Sequence, residues 1–182
     1  MPTKKKIKKI TFESIKANDD YLARLSDSLS KKQIFKVDKT LVELLKSFLK
    51  QDFVIPNGSK GRKDLIKIGN IMAITQEQRE QTASVKVDYL KKQGRLNSLY
   101  FLARTYIYNN YKEFMYEYKT VEIRTDVINS FLIDLVEKQN VCEAIIEVGD
   151  LVLETLKDRY FTLCKINDIC LATMPEKIRR DM

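Results

Sequence analysis

The sequence predicts a mainly α protein, an antiparallel bundle of long helices with a short irregular or hairpin segment near residues 53–74. Three observations carry this. Apolar residues recur at three- and four-residue spacing over most of the chain. Only 5 Gly and 3 Pro occur in 182 residues, too few turn formers for a sandwich or barrel. Four of these eight, Pro56, Gly58, Gly61 and Gly69, cluster between residues 56 and 69, and this marks one break in the pattern.

The elements follow in order. Residues 1–10 read as a basic flexible tail. Thr11 to Ala17 suit a turn or two of helix. Asn18 is placed to cap a helix whose first turn holds Asp19 and Asp20, acids that suit the positive end of the helix dipole. Tyr21, Leu22, Leu25 and Leu29 follow at helical spacing, and Ser30 offers a second cap. From Asp38, the residues Leu41, Leu44, Leu45, Phe48 and Leu49 form the clearest early stripe. Pro56-Asn57-Gly58 then forms a turn, because Pro presets φ and Asn or Gly tolerates positive φ. Leu65, Ile66, Ile68, Ile71 and Ile74 suit a short strand or an irregular crossing, with a helix capped by Asp64 as the alternative. Thr75-x-x-Gln78 resembles a capping box. It opens a helix that Gly94 would stop. Leu96, Leu99, Ala103, Ile107, Tyr111, Phe114 and Tyr118 predict a helix over 95–118. Thr125-Asp126 opens the next, with Val127, Ile128, Phe131, Leu132, Leu135 and Val136. Val141, Ile145, Val148, Val152, Leu156, Tyr160, Leu163, Asn167 and Cys170 can be drawn as one stripe. If Gly149 does not interrupt it, 141–173 is a helix about 50 Å long at 1.5 Å per residue, ended by Met174-Pro175. The expected organisation is therefore a tail (1–10), a basic helical segment with a loop (11–74) and a helical bundle (75–182), packed together as one domain.

Composition narrows the chemistry. The chain has no His, which removes the commonest general base and metal ligand. Cys142, Cys164 and Cys170 lack a CxxC spacing and are odd in number, so neither a disulfide framework nor a zinc site is expected. All three fall on apolar positions and read as buried thiols in a reducing compartment, in the cytoplasm or a virion. No metal, no cofactor and no catalytic residue are expected. Glu113 with Glu117, Glu143 with Glu147, and Asp150 with Glu154 are i, i+4 pairs, but without histidine partners they read as solvated faces and not a di-metal site. The Lys-rich N-terminus has no apolar region after it, and no apolar run is long enough to span a bilayer, so no membrane partner is expected.

The formal net charge is +8, and it is uneven. Residues 1–70 carry 17 Lys/Arg against 8 Asp/Glu, residues 71–120 carry 8 against 5, and residues 121–182 carry 8 against 12. Lys4, Lys5, Lys6, Lys8 and Lys9 form one cluster. Lys60, Arg62 and Lys63 form another, within Gly58-Ser59-Lys60-Gly61-Arg62-Lys63. Freed backbone N–H groups and cations there could contact phosphate, although the spacing is not that of a nucleotide-binding P-loop. These eight residues are the candidate nucleic-acid or anion contacts.

Six of the nine tyrosines lie in residues 100–118. Phe101, Tyr108 and Met115 would lie on a different stripe from Ile107, Tyr111 and Phe114, and a helix apolar on several sides is buried on several sides. Tyr favours places with one dry and one polar end, as at interfaces. Tyr100, Phe101, Tyr106, Tyr108, Met115 and Tyr116 are thus the candidate protein interface. Arg95, Arg104, Lys112 and Lys119 interleave with them, which also permits stacking of single-stranded nucleic acid.

Leu29-Ser30-Lys31-Lys32, then Leu41, Val42, Leu45 and Leu49, then Ile68-Gly69-Asn70, loosely resemble the front half of the bacterial histone-like DNA-bending family (HU and integration host factor). In that family two helices precede a Gly-containing strand turn. The likeness covers residues 18–75 and lacks the family's β-arm with its Gly-Arg-Asn-Pro tip. It implies no membership and supports only the DNA-binding alternative.

The function expected from these features is a non-enzymatic structural or adaptor subunit of a larger assembly, self-association included. A ring or connector component of a virus particle is one instance. The alternatives are a nucleic-acid-binding protein contacting phosphates through residues 1–70, and a small helical inhibitor or regulator that docks on another protein.

Overall fold

The fold is known from a computed structural model, which describes residues 14–15, 18–31, 39–51, 54 and 62–173. Outside these lie the lysine tail, Asp38, the Pro56-Asn57-Gly58 turn, most of the 58–63 basic loop and the Met174-Pro175 stop. Among the described residues the elements are all helices: α1 (Asp20–Lys31), α2 (Lys39–Lys50), α3 (Arg62–Asn110), α4 (Lys112–Tyr116), α5 (Val121–Phe131) and α6 (Ile133–Thr173).

The chain divides into two compact units. One comprises Met1–Val37 with Lys91–Cys142, the other Asp38–Leu90 with Glu143–Met182. The long helices α3 and α6 each contribute to both.

On both long helices a buried position recurs every seven residues. On α3 these are Ile68, Thr75, Thr82, Tyr89, Leu96 and Ala103, each at most 1% exposed. On α6 they are Leu135, Cys142, Gly149, Leu156, Leu163 and Cys170. A seven-residue repeat gives 3.5 residues per turn, the pattern of a left-handed coiled-coil seam. In the second unit Ile68 packs with Leu163 and Cys170, flanked by Leu65, Ile71, Met72 and Ile166. Arg79 sits over the Tyr160 ring at 5.8 Å, and the Lys86 ammonium pairs with the Asp150 carboxylate. In the first unit Gln139 donates to Asn97 at 2.7 Å. Within the second unit rising numbers on α3 meet falling numbers on α6, so the helices run antiparallel.

This packing corrects several expectations. Residues 62–74 are helical, not a hairpin or an irregular crossing. Burial of Ile68 against Leu163 and Cys170 overrides the strand preference of the isoleucines, and Ile66 is left 57% exposed. Ile68-Gly69-Asn70 is therefore no strand turn. Thr75 and Gln78 are not a capping box. Both are buried mid-helix, where the Thr75 hydroxyl donates to Ile71 O at 2.8 Å and the Gln78 amide to Gln51 Oε1 at 2.6 Å. Gly94 does not stop the helix, which continues to Asn110. A single helix over 95–118 is not formed. Tyr111 adopts φ −122°, ψ 34°, and separates α3 from α4.

Further on, α5 begins at Val121 and not at Thr125. Thr120 caps it by accepting from Ile123 N at 3.3 Å. At the other end of the chain, Asp19 and not Asn18 caps α1. Its Oδ1 accepts from Leu22 N at 2.9 Å, while Asn18 donates to Ser14 O. Ser30 lies inside α1. Gly149 leaves α6 unbroken, and the helix starts at Ile133, eight residues before the expected 141. The expected stripe through Val141 is displaced by one residue there, since Cys142 is buried and Val141 is 39% exposed.

The first unit is completed by α1 and α5. Leu22 and Leu29 of α1 line one small cavity with Phe131, Leu132 and Leu135, and the Ser26 hydroxyl donates to Asp134 Oδ2 at 2.8 Å. In the second unit Leu45 and Phe48 of α2 are buried, as their stripe requires. Gln51, just past α2, also accepts from Arg159 through its carbonyl at 3.0 Å. Cys142 and Cys170 are buried thiols and Cys164 is half-buried. No described helix is long and apolar enough to cross a membrane.

Candidate interaction surface on the aromatic segment

The aromatic residues of 100–118 separate into three environments. The first is a polar node. Asp19, 6% exposed, takes the Tyr106 hydroxyl on Oδ2 at 3.1 Å and the Tyr111 hydroxyl on the same oxygen, while Oδ1 caps α1. Tyr21 stacks on Tyr106 with centroids 4.2 Å apart and 30° between the planes. Burial by itself would raise the Asp19 pKa. Hydrogen bonds from Tyr111, Leu22 N, Tyr106 and Tyr21 N outweigh that and hold it below 3.8. The two tyrosines move the other way. Burial, then the hydrogen bond to Asp19, raises both above 10.0.

The second environment is core. Phe114 lies edge-on to Tyr118 and Phe131, with centroids at 5.5 and 6.3 Å. Met115, expected on the Phe101 stripe, is 1% exposed, whereas Phe101 is 67% exposed. The break at Tyr111 takes Met115 out of register with the helix before it.

The third is surface. Phe101, Leu102 and Tyr116 are exposed, as are Val121 and Ile123 of α5. Tyr108, Asn109, Lys112, Met115, Tyr116 and Arg124 line a pocket of about 260 Å³. Arg124 sits 5.1 Å from the Tyr116 ring centroid and Lys112 5.8 Å, while Arg104 sits 5.8 Å from that of Tyr108. The Arg124 Nε–H donates to Tyr118 O at 2.8 Å, and this fixes the guanidinium plane.

Of the six expected interface residues, the structure brings Tyr108, Met115 and Tyr116 to this pocket. Tyr106 belongs to the Asp19 node. Tyr100 is half-buried and donates to Asn129 Oδ1 at 2.7 Å. Phe101 is exposed outside the pocket lining. Of the expected anion contacts, Lys4, Lys5, Lys6, Lys8, Lys9 and Lys60 lie outside the described residues. Arg62 opens α3, and Lys63 is exposed in its first turn. Sequence reasoning missed Asp19 as a tyrosine acceptor, because its partners are 87 and 92 residues away. It also missed Arg124, whose only signal was a cation shortly after an aromatic run. The six paired carboxylates are all exposed, and no group of three Asp, Glu or Cys side chains among the described residues could hold a metal ion.

Compared with protein-family models, curated proteins and solved structures, the chain matches none.

Proposed function

We propose that this chain is a non-enzymatic structural or adaptor subunit that associates with other protein subunits, copies of itself included. A ring or connector component of a virus particle is one instance. The observation that supports it most is the exposure of large apolar side chains on and just after the aromatic segment. Phe101 (67%), Leu102 (58%), Tyr116 (61%) and Val121 (66%) are turned to solvent in a unit of 89 residues that also has a packed core. Interfaces are enriched in aromatic residues, and exposed Phe and Tyr side chains fit that composition. The test is native mass by light scattering over the micromolar range, after nuclease treatment. The expected result is a multiple of 21.3 kDa that shifts toward the monomer in a Phe101→Ser, Tyr116→Ser double variant. A clean monomer throughout, with no partner in pull-downs, overturns the reading.

A second reading, phosphate contact through residues 1–70, is favoured by the +9 balance of that stretch. Single-strand affinity should then fall steeply from low to physiological salt, and deleting residues 1–9 should flatten the slope. Absence of binding to duplex and single strand at low salt excludes it.

A further inference from the structure

We propose that the pocket formed by the end of α3, α4 and the start of α5 is a binding site for a nucleoside monophosphate, free or as the terminal unit of a single strand. The inference goes beyond the self-association reading, shares only Tyr116 with it and uses none of residues 1–70. Two cations reach the pocket, Lys112 and Arg124, and Arg104 sits one ring away on Tyr108. Among the described residues none of the three lies within ion-pair distance of a carboxylate. They are held instead on the faces of Tyr108 and Tyr116. No acidic side chain lines the pocket. Such a cluster repels itself, and an anion relieves it.

The walls narrow the class further. A bare anion needs no aromatic surface, yet two of the six lining residues are tyrosines. A neutral aromatic ligand needs no uncompensated cations. A nucleotide supplies both parts, a flat base to pack against the tyrosines and a phosphate for Lys112 and Arg124. A terminal phosphate carries about −1.5 to −2 at neutral pH, which matches two cations better than a single carboxylate does. Asn109 presents an amide that can donate and accept, which suits the polar edge of a base. The pocket, at about 260 Å³, is just below the usual range of ligand sites and suits one nucleotide better than a longer run.

The experiment is calorimetric titration of the full chain with adenosine monophosphate, inorganic phosphate, a 5′-phosphorylated oligodeoxynucleotide and a short peptide of aromatic and acidic residues. Adenosine monophosphate should bind in preference to phosphate and to the peptide. Lys112→Ala and Tyr116→Leu should each weaken it by about tenfold. Both positions are exposed, so an unchanged thermal melt should show that the fold survives. A 5′-phosphorylated strand that outcompetes the free nucleotide identifies the strand end as the source, and the reverse order identifies the free nucleotide. The proposal is overturned if phosphate or the peptide binds as tightly, if no nucleotide binds, or if both variants bind like the parent.

Discussion

At the scale of single residues the most connected group is Asp19. One carboxylate caps α1 and receives two tyrosine hydroxyls from a segment about ninety positions later. Hydrogen bonds to a charged acceptor contribute about 1.5–3 kcal/mol each, and a lost cap costs about 1 kcal/mol. These contributions are not additive, so Asp19→Ala should cost about 2–4 kcal/mol in chemical denaturation. The pH dependence follows from the shifts. The folded carboxyl titrates below 3.8, so its stabilisation is present above that value and is lost as pH falls through the lower folded pKa. Tyr106 and Tyr111 are raised above 10.0, so their contribution is present below that value and is lost as pH rises past it. Stability measured against pH should fall at both ends, and the Asp19→Ala curve should be shallower at both. Parallel curves would show that the node is not the source.

At the scale of elements, the glycines discriminate between two readings of the long helices. If Gly94 were a left-handed C-terminal stop, alanine there would be strained. In the structure it lies mid-helix, and an added Cβ meets nothing within 4 Å. Gly149 is buried, yet its Cβ would sit 3.6 Å from Lys86 Cβ, an ordinary contact. Gly94→Ala and Gly149→Ala should each stabilise by about 0.5–1 kcal/mol, the helix-propensity difference, measured by thermal unfolding. A loss of stability at Gly94 would restore the stop. The same positions show what was legible in the chain. The helical class and the stripes around Leu45, Leu96 and Leu156 could be read, because apolar residues occupy the buried positions. From Thr75 to Thr82 the buried positions are Thr, Gln and Thr, so the repeat vanished and a capping box appeared in its place. Gly149 occupies a buried repeat position without a side chain, which moved the expected stripe onto Val141. Propensity favoured strand at 64–74, and only the distant partners Leu163 and Cys170 decide for helix. In the aromatic segment the candidate residues were recognisable as a group. Their sorting into node, core and pocket depends on Tyr111 backbone geometry and on Asp19, neither of which local spacing encodes.

For the whole molecule, the unit boundaries redraw both charge and foldability. The first unit carries 18 Lys/Arg against 10 Asp/Glu, and the second carries 15 against 15. The entire +8 thus belongs to the unit that holds the aromatic pocket, which a division into front and back thirds obscured. Each unit is also assembled from two separate stretches of chain. A fragment of residues 75–182, the bundle suggested by the linear pattern, would keep most of α3 and all of α6. It would lose Ile68 with Leu65, Ile71 and Met72, which exposes Leu163, Ile166 and Cys170. It would also lose α2 with Leu45 and Phe48, and α1 with Asp19, Leu22 and Leu29. Each buried aliphatic or aromatic side chain contributes roughly 1.5–3 kcal/mol. The five buried ones, Leu22, Leu29, Leu45, Phe48 and Ile68, together contribute about 7.5–15 kcal/mol, comparable with the 5–15 kcal/mol that typically holds a domain together. The fragment should therefore retain circular-dichroism helicity but melt broadly, without a cooperative transition. The full chain should melt sharply, and co-expression of residues 1–74 with the fragment should restore that sharp transition. A fragment that melts as cooperatively as the full chain would show that α1, α2 and the first turns of α3 are accessories to a self-sufficient bundle.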